Sequence, residues 1–322
     1  MRIPENSAAR GVLVLFFGLL VAALLQAEGL RKQAEIQPSG FQRTLALDVT
    51  RPLLGVSRTL HLTTPRHELQ VALGRENEDV IDTQVHITLP PPAGPLPKRR
   101  HTGAHVPVKP VFTAAKPLRV WVAGDSLAEV PGQALERVTD PALRVVGVES
   151  RLSTGLARTD LFNWFTRIQA AEAELKPDVV VFSFGADDAH DYMGGAHVGP
   201  FGSPSWVAEY RRRADGVTRE LNARGIYVVW LGLPIPDGPG FKKSFPVVNA
   251  ILESVAKQHP KQSTFVDTWH MLDDLHGRYA AYLRVHGKLT LLRLPDGVHY
   301  TAAAGDLIAA QTLKQLRAVY RF

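Results

Sequence analysis

The chain has no cysteine. This excludes disulfides, a thiol nucleophile and every cysteine-ligated metal site, and it leaves export open. Nor does charge of one sign dominate the larger part of the chain: residues 118–322 carry 23 Lys+Arg against 22 Asp+Glu. A near-neutral folded part offers no broad basic face, so no nucleic-acid partner is expected. There is no internal repeat, and no acidic loop has the glycine placement and closing bidentate acid of a calcium site. No metal or cofactor is therefore assigned.

One long apolar run is present, GVLVLFFGLLVAALLQA from Gly11 to Ala27, uncharged and preceded by Arg2 and Arg10. Its length is close to the minimum that spans a bilayer. The candidate cleavage site Leu25-Gln26-Ala27 puts a large residue where a small one is favoured, so residues 1–30 read as an uncleaved anchor rather than a removed signal. The expectation is a single membrane pass with the remainder exported, or a secreted chain if the segment is cleaved. Arg31 and Lys32 beyond the run weaken the charge argument for that orientation.

Residues 31–87 read as a membrane-proximal region of short helices interrupted by Pro52 and Pro65. Residues 88–117 follow as a proline-rich basic linker, with eight prolines between Pro90 and Pro117 and with Lys98, Arg99, Arg100, Lys109 and Lys116 unopposed by any acid. Such a composition builds no core and predicts a stiff spacer. Its charge suits an anionic surface or a plain solvated tether.

From Leu118 the pattern changes. Five short apolar runs (LRVWVAG, RVVGVES, DVVVFSFG, IYVVWLGLP and STFVD) alternate with helical periods such as LFNWFTRIQAAEAEL and AAGDLIAAQTLKQL. Strands apolar on both faces and separated by helices predict a three-layer α/β sandwich around a five-stranded parallel sheet over 118–322. Ligands on such sheets bind at the carboxyl ends of the strands, so the loops after the five runs are where chemistry is sought.

The first of these loops is Gly124-Asp125-Ser126-Leu127. A serine between a strand and a helix can present its hydroxyl to an ester and its backbone N–H to the developing oxyanion; the bland alternative is a helix cap by Asp125 or Ser126. A serine nucleophile needs a base. Three Asp-x-x-His patterns compete, Asp187–His190, Asp267–His270 and Asp296–His299, and spacing alone does not choose. The last lies just before the C-terminal helix, where Gly297 lets the carboxylate face the imidazole and leave its other nitrogen for serine. His270 reads better as a partly buried structural histidine. Asp187, Asp188, His190 and Asp191 crowd five positions, yet they lack a metal-loop pattern. Tyr192 and Trp206 are candidates to line an acyl or sugar pocket, whereas Trp164, at helical spacing, reads as core.

GDSL, the glycine in STGLART, GADD and DGVH follow the block order of the SGNH (GDSL) hydrolase superfamily, and STGLARTDLFNW, WLGLP, VDTW and LPDGVHYT resemble its bacterial DUF459 group. The resemblance covers about residues 118–320. It implies an SGNH/flavodoxin-like fold with Ser126 as nucleophile, His299 as base and Asp296 as its orienting acid. It also implies oxyanion donors at the backbone N–H groups of Ser126 and Gly155. The superfamily's third donor is an asparagine, and here that position is Asp187.

An ionised carboxylate only accepts hydrogen bonds and repels an oxyanion. Three outcomes stay open: Asp187 is protonated and donates, it caps the following turn while another group donates, or the site binds without hydrolysing. The expectation is thus an extracytoplasmic serine esterase or O-acyltransferase acting on an O-acylated envelope glycan or a small ester, acetyl being the acyl group the resemblance and compartment favour. A silent glycan-binding or envelope-assembly module is the alternative. A lipid-directed esterase would need apolar loops around the site, and the glycine-rich stretch 194–206 reads equally as such a lid or as a sugar-facing loop.

Overall fold

The apolar run near the start forms helix α1 (Ser7–Leu25) in a computed structural model that describes residues 7–36, 41–62, 64, 68, 83–89, 109–194 and 196–322. The chain divides into two units, Met1–Ile81 and Asp82–Phe322. In the first, α2 (Ala27–Ile36) packs on α3 (Phe41–Thr59), and the Ser57 hydroxyl donates to the Leu24 carbonyl at 2.7 Å. Pro52 sits inside α3 without ending it, so one helix stands where short ones were expected. Val12, Val14, Leu15 and Phe16 of α1 are exposed. Among the described residues no helix is long and apolar enough to cross a membrane.

The second unit starts well before Leu118, which moves the expected boundary. Thr83–Leu89 runs extended along the unit, Val85 and Ile87 turning inward and Gln84, His86 and Thr88 outward. Its carbonyls are taken up by side chains far along the chain: Thr159 Oγ1 and Asn163 Nδ2 donate to Thr83 and Gln84, both at 2.9 Å. The Ile87 side chain fills the space beside Gly216, where a Cβ would stand 2.1 Å from it. Residues 90–108 of the proline-rich stretch lie outside the described residues. Those from Lys109 on are part of this unit, where Phe112 N–H donates to the Arg321 carbonyl at 2.8 Å. The described residues on either side of 90–108, Thr83–Leu89 and those from Lys109 on, both belong to the second unit.

The five apolar runs form β1 (Leu118–Gly124), β2 (Leu143–Ser150), β3 (Val179–Ser183), β6 (Tyr227–Leu231) and β7 (Ser263–Val266), all parallel, in the order β2-β1-β3-β6-β7. Every residue of β3 and β6 is buried, as expected for strands covered on both faces. Each such Val, Leu or Phe contributes about 1.5–3 kcal/mol by leaving water. Helix α4 (Glu129–Glu136) rests on one face, where Gly132 lets it approach Val122 and Val148, and it packs against α9 (Ala302–Val319). On the other face lie Trp121, Phe182 and Trp230 in ring contact, with α5 (Trp164–Leu175), α6 (Pro204–Ala223) and α7 (Pro239–Gln258).

Two hairpins and a short helix decorate the rim: β4 (Tyr192–Met193) with β5 (Ala196–His197), β8 (Tyr282–Val285) with β9 (Lys288–Leu291), and α8 (Thr268–Met271). The chain leaves β1 for β2 on one side and reaches β3 on the other. The order therefore reverses beside β1, and the crevice at its carboxyl end is the expected place for a ligand.

Candidate active site

That crevice receives the loops after β1, β2 and β3. The Asp125 N–H donates to the Ser183 carbonyl at 2.9 Å, drawing the end of β1 against β3. The buried Asp125 carboxylate accepts from Leu127 N–H and from Ala186 N–H, each at 3.0 Å, and so ties the first loop to the third. Burial, with the neighbouring charge of Asp187, pushes the Asp125 carboxyl well above the usual carboxylate range. Asp125 caps the 3-10 turn Ser126–Ala128 that leads into α4. The Ser126 hydroxyl is left for another partner.

That partner is His299. Its Nε2 lies 2.9 Å from Ser126 Oγ, and its Nδ1 lies 2.8 Å from Asp296 Oδ2. The other oxygen of Asp296 accepts the backbone N–H groups of Val298 and His299 at 2.8 and 2.9 Å. One carboxylate thereby shapes the turn and fixes the tautomer that presents Nε2 to serine. Its slight burial opposes ionisation, but those N–H bonds and His299 hold Asp296 below the ordinary value. Gly297 takes φ +72°, a left-handed conformation that lets the turn close.

The turn is also held from within by a residue the sequence reading missed. Arg293 is buried, and its Nη2 donates to the carbonyls of Val298 at 2.6 Å and Gly297 at 3.2 Å, between the rings of Tyr279 and Tyr300. A lone charge in the apolar run LLRLP, just ahead of DGVH, was the available signal.

The loop after β2 is held by the loop after β3. Buried Asp188 accepts from Ala157 N–H at 2.9 Å, Leu156 N–H at 3.2 Å and the Tyr210 hydroxyl at 2.6 Å. Burial pushes its carboxyl up to about 6, against those three donors. The carboxylate lies so close to Gly155 that a Cβ there would stand 2.0 Å from Oδ1. Only glycine fits, and among the described residues the Gly155 N–H has no acceptor in the protein.

Asp187 is half-buried, and among the described residues its carboxyl caps no turn and accepts no hydrogen bond. This removes the capping role. Burial raises its carboxyl pKa, while Arg158 and His299, near enough for their charges to be felt, pull the other way. The Arg158 guanidinium is buried, forked onto Asp160 at 2.9 Å and in contact with His190 Nε2 at 3.1 Å. Neither Arg158 nor Tyr210 was picked out by sequence. An arginine in a polar loop and a tyrosine on a helix carry no distinguishing spacing.

Other candidates fall elsewhere. Trp206 is fully buried, stacked on Tyr210 with its Nε1 donating to the His190 carbonyl at 2.7 Å, so it belongs to the core and lines no pocket. Tyr192 is exposed and meets His197 edge-on across its hairpin. Trp164 is core, its Nε1 bonded to Thr154 at 2.9 Å. His270 is exposed rather than partly buried, paired with Asp267 at 2.6 Å. Asp188 and Asp191 spend their carboxylates on backbone N–H groups, and among the described residues no set of acidic or histidine side chains converges as metal ligands.

Residues 119–315 match the family described as "Protein of unknown function (DUF459)". The chain belongs to the DUF459 family. Solved structures similar to this DUF459 chain include TesA, at 21% identity over 62% of this chain and 99% of that one, with a TM-score of 0.42. Others are a catalytic mutant of Axe2, an acetylxylan esterase from Geobacillus stearothermophilus (15% identity, 62% and 93% covered, TM-score 0.42), and a lipase/acylhydrolase from Enterococcus faecalis (15%, 62% and 95%, TM-score 0.43). No curated protein matches the chain.

Proposed function

We propose that this DUF459 chain is an extracytoplasmic serine esterase, or acyltransferase, acting on an O-acylated envelope glycan. The observation that carries the reading is the single imidazole of His299 bridging Ser126 Oγ at 2.9 Å and Asp296 at 2.8 Å. His299 Nε2 takes the Ser126 proton as Oγ attacks the ester carbonyl. The tetrahedral oxyanion meets the N–H groups of Ser126 and Gly155, and the imidazolium, steadied by Asp296, returns its proton to the departing alcohol. Water, or the hydroxyl of an acceptor, then attacks the acyl-serine and passes its proton to His299, releasing acid or the transferred ester.

Asp187 supplies a third donor while protonated, a state favoured by its burial and opposed by Arg158 and His299. The uncharged run Gly11–Ala27 and the exposed apolar side chains of α1 support attachment to the inner membrane, and Arg2 and Arg10 ahead of the run favour the periplasmic side for the second unit.

The test is turnover of a short-chain aryl ester by the full chain beside Ser126→Ala. Turnover that disappears in the variant is the expected result. Absence of Ser126-dependent turnover between about pH 5 and 9, the range over which a serine–histidine pair works, would overturn it and leave the silent binding module, which a carboxyl in a donor's position favours.

A further inference from the structure

The β8–β9 hairpin is not used by the chemistry above, yet its second strand runs straight into the turn that carries Asp296 and His299. Leu292, the residue after β9, donates its N–H to the Ala281 carbonyl and accepts from Thr301 N–H, while Leu294 N–H donates to the His299 carbonyl at 2.9 Å. Whatever holds the hairpin therefore stands beside the catalytic turn.

Its two faces differ. In the antiparallel register Tyr282 faces Leu291 and Arg284 faces Leu289, while Leu283 and Val285 turn inward against the core. The outward face is thus Tyr282, Leu289, Leu291 and Arg284, with Tyr282 55% and Leu289 62% exposed. Leu275, 91% exposed in the turn before the hairpin, and Leu294 just after it add to the apolar surface. Scattered exposed leucines need no explanation; a row of them on one rigid ribbon does.

Within the segment that carries this row, charge has one sign. From Leu275 to Pro295 there is no acidic residue, while Arg278, Arg284, Lys288 and Arg293 are all present. Arg293 is buried in the catalytic turn and Arg278 is bound to Asp274 at 2.8 Å. Arg284 donates only to the Gly287 carbonyl, and among the described residues neither it nor Lys288 has an acidic partner. The acids at the base are also engaged, Asp274 with Arg278, Asp296 with His299, and Asp237 with Lys242 at 3.7 Å. Leucines with a tyrosine among unpaired cations match a lipid–water interface: the aliphatic chains enter the acyl boundary, tyrosine stays at headgroup depth, and Arg and Lys meet phosphates. A neutral sugar surface would use the rings but not the cations.

We propose that the outer face of the β8–β9 hairpin docks on an anionic lipid surface, so that the ester brought to Ser126 is one displayed at that surface. The docking stands on the hairpin alone; the ester clause rests on the esterase reading. The absence of native cysteine makes the test direct. Leu289→Cys in the full chain, labelled with an environment-sensitive fluorophore, is mixed with phosphatidylcholine vesicles with or without phosphatidylglycerol, and Lys261→Cys, ahead of β7 at the opposite end of the sheet, serves as the control site.

The expected result is a blue shift and a several-fold rise in emission at position 289 on phosphatidylglycerol vesicles, weakened by salt and not seen at position 261. No response at 289, an equal response at both sites, or an equal response to phosphatidylcholine alone would overturn the proposal. So would a response to soluble polygalacturonate in place of vesicles, which assigns the face to an acidic glycan. Repeating the measurement in the Ser126→Ala chain separates the two readings: docking that persists without any Ser126-dependent turnover in the parent leaves the hairpin assignment standing and removes only the esterase.

Discussion

Replacing Tyr210 by phenylalanine deletes one hydroxyl, and the structure says how that loss should vary with pH. The hydroxyl lies 2.6 Å from Asp188 Oδ2, and the carboxyl it serves is pushed up to about 6 by burial. Because this folded-state value lies above the ordinary 3.8, the group favours the fold most at low pH. Its contribution is lost as pH rises through about 6, amounting to about 3 kcal/mol at neutrality.

With Tyr210 present, the ionised carboxylate keeps a charge-assisted bond worth about 1.5–3 kcal/mol, whereas the protonated acid keeps a neutral one worth about 0.5–1.5 kcal/mol. Tyr210→Phe should therefore destabilise the second unit by about 1–1.5 kcal/mol more at about pH 8 than at about pH 5, which is the same statement as an Asp188 pKa raised by about one unit. All five tryptophans lie between Trp121 and Trp269, so urea unfolding followed by tryptophan fluorescence reads this unit alone. A destabilisation equal at the two pH values, or larger at the acid one, would refute the assignment of an ionised Asp188 as the clamp on the Gly155 loop.

Asp187→Asn places a permanent donor where the wild type has one only while protonated. It should raise kcat at alkaline pH by about 10²–10³ and flatten the decline that sets in as Asp187 ionises, with parallel pH–rate profiles of the two proteins as the contrary outcome. Gly155→Ala drives a Cβ into Asp188 Oδ1 and should lower kcat by about 10²–10³, the worth of an oxyanion donor, while circular dichroism shows the fold retained. Arg293→Met leaves the buried Val298 carbonyl without its donor, at about 1–3 kcal/mol visible in urea unfolding, while the Gly297 carbonyl keeps the Asp237 N–H at 3.0 Å. As a positioning residue it should act on kcat more than on KM, and Arg293→Lys should restore part of the rate.

The sheet was legible because its strands are apolar on both faces and short, a pattern that helices of this length do not produce. Ser126, Asp296 and His299 were picked out by the block order of the resemblance, because three Asp-x-x-His spacings competed and the spacing itself did not choose among them. What escaped was whatever depends on distant packing. Thr83–Leu89 looks like any polar–apolar alternation, and nothing local says that Thr159 and Asn163 will take its carbonyls. Trp206 was taken for a pocket wall because an aromatic after a flexible loop reads as exposed. The stacking on Tyr210 that buries it joins residues of one helix, α6, whose inward face the sequence alone did not reveal. The VHGK turn was a readable hairpin signal: His286 and Gly287 both take positive φ, as a two-residue connection between twisted strands requires.

Two of the three Asp-x-x-His segments build the same local device. Asp267 accepts His270 N–H at 3.1 Å and Nδ1 at 2.6 Å, as Asp296 accepts His299 N–H at 2.9 Å and Nδ1 at 2.8 Å. The carboxylate–imidazole dyad is therefore a property of four residues in a turn, and spacing finds it wherever it forms. In Asp187–His190 it does not form, because Asp188 turns inward to the Gly155 loop and Arg158 holds the imidazole. A dyad can act as a base only where its second nitrogen meets a hydroxyl whose proton it can take during attack. Nε2 of His299 meets Ser126 because the reversal of strand order beside β1 opens a crevice there and Arg293 holds the DGVH turn at its rim. His270 carries the same pair on the open surface, where its Asp267 partner raises its affinity for a proton and, among the described residues, no serine hydroxyl is bonded to its other nitrogen. The local sequence makes the dyad twice, and the topology decides which copy can do chemistry.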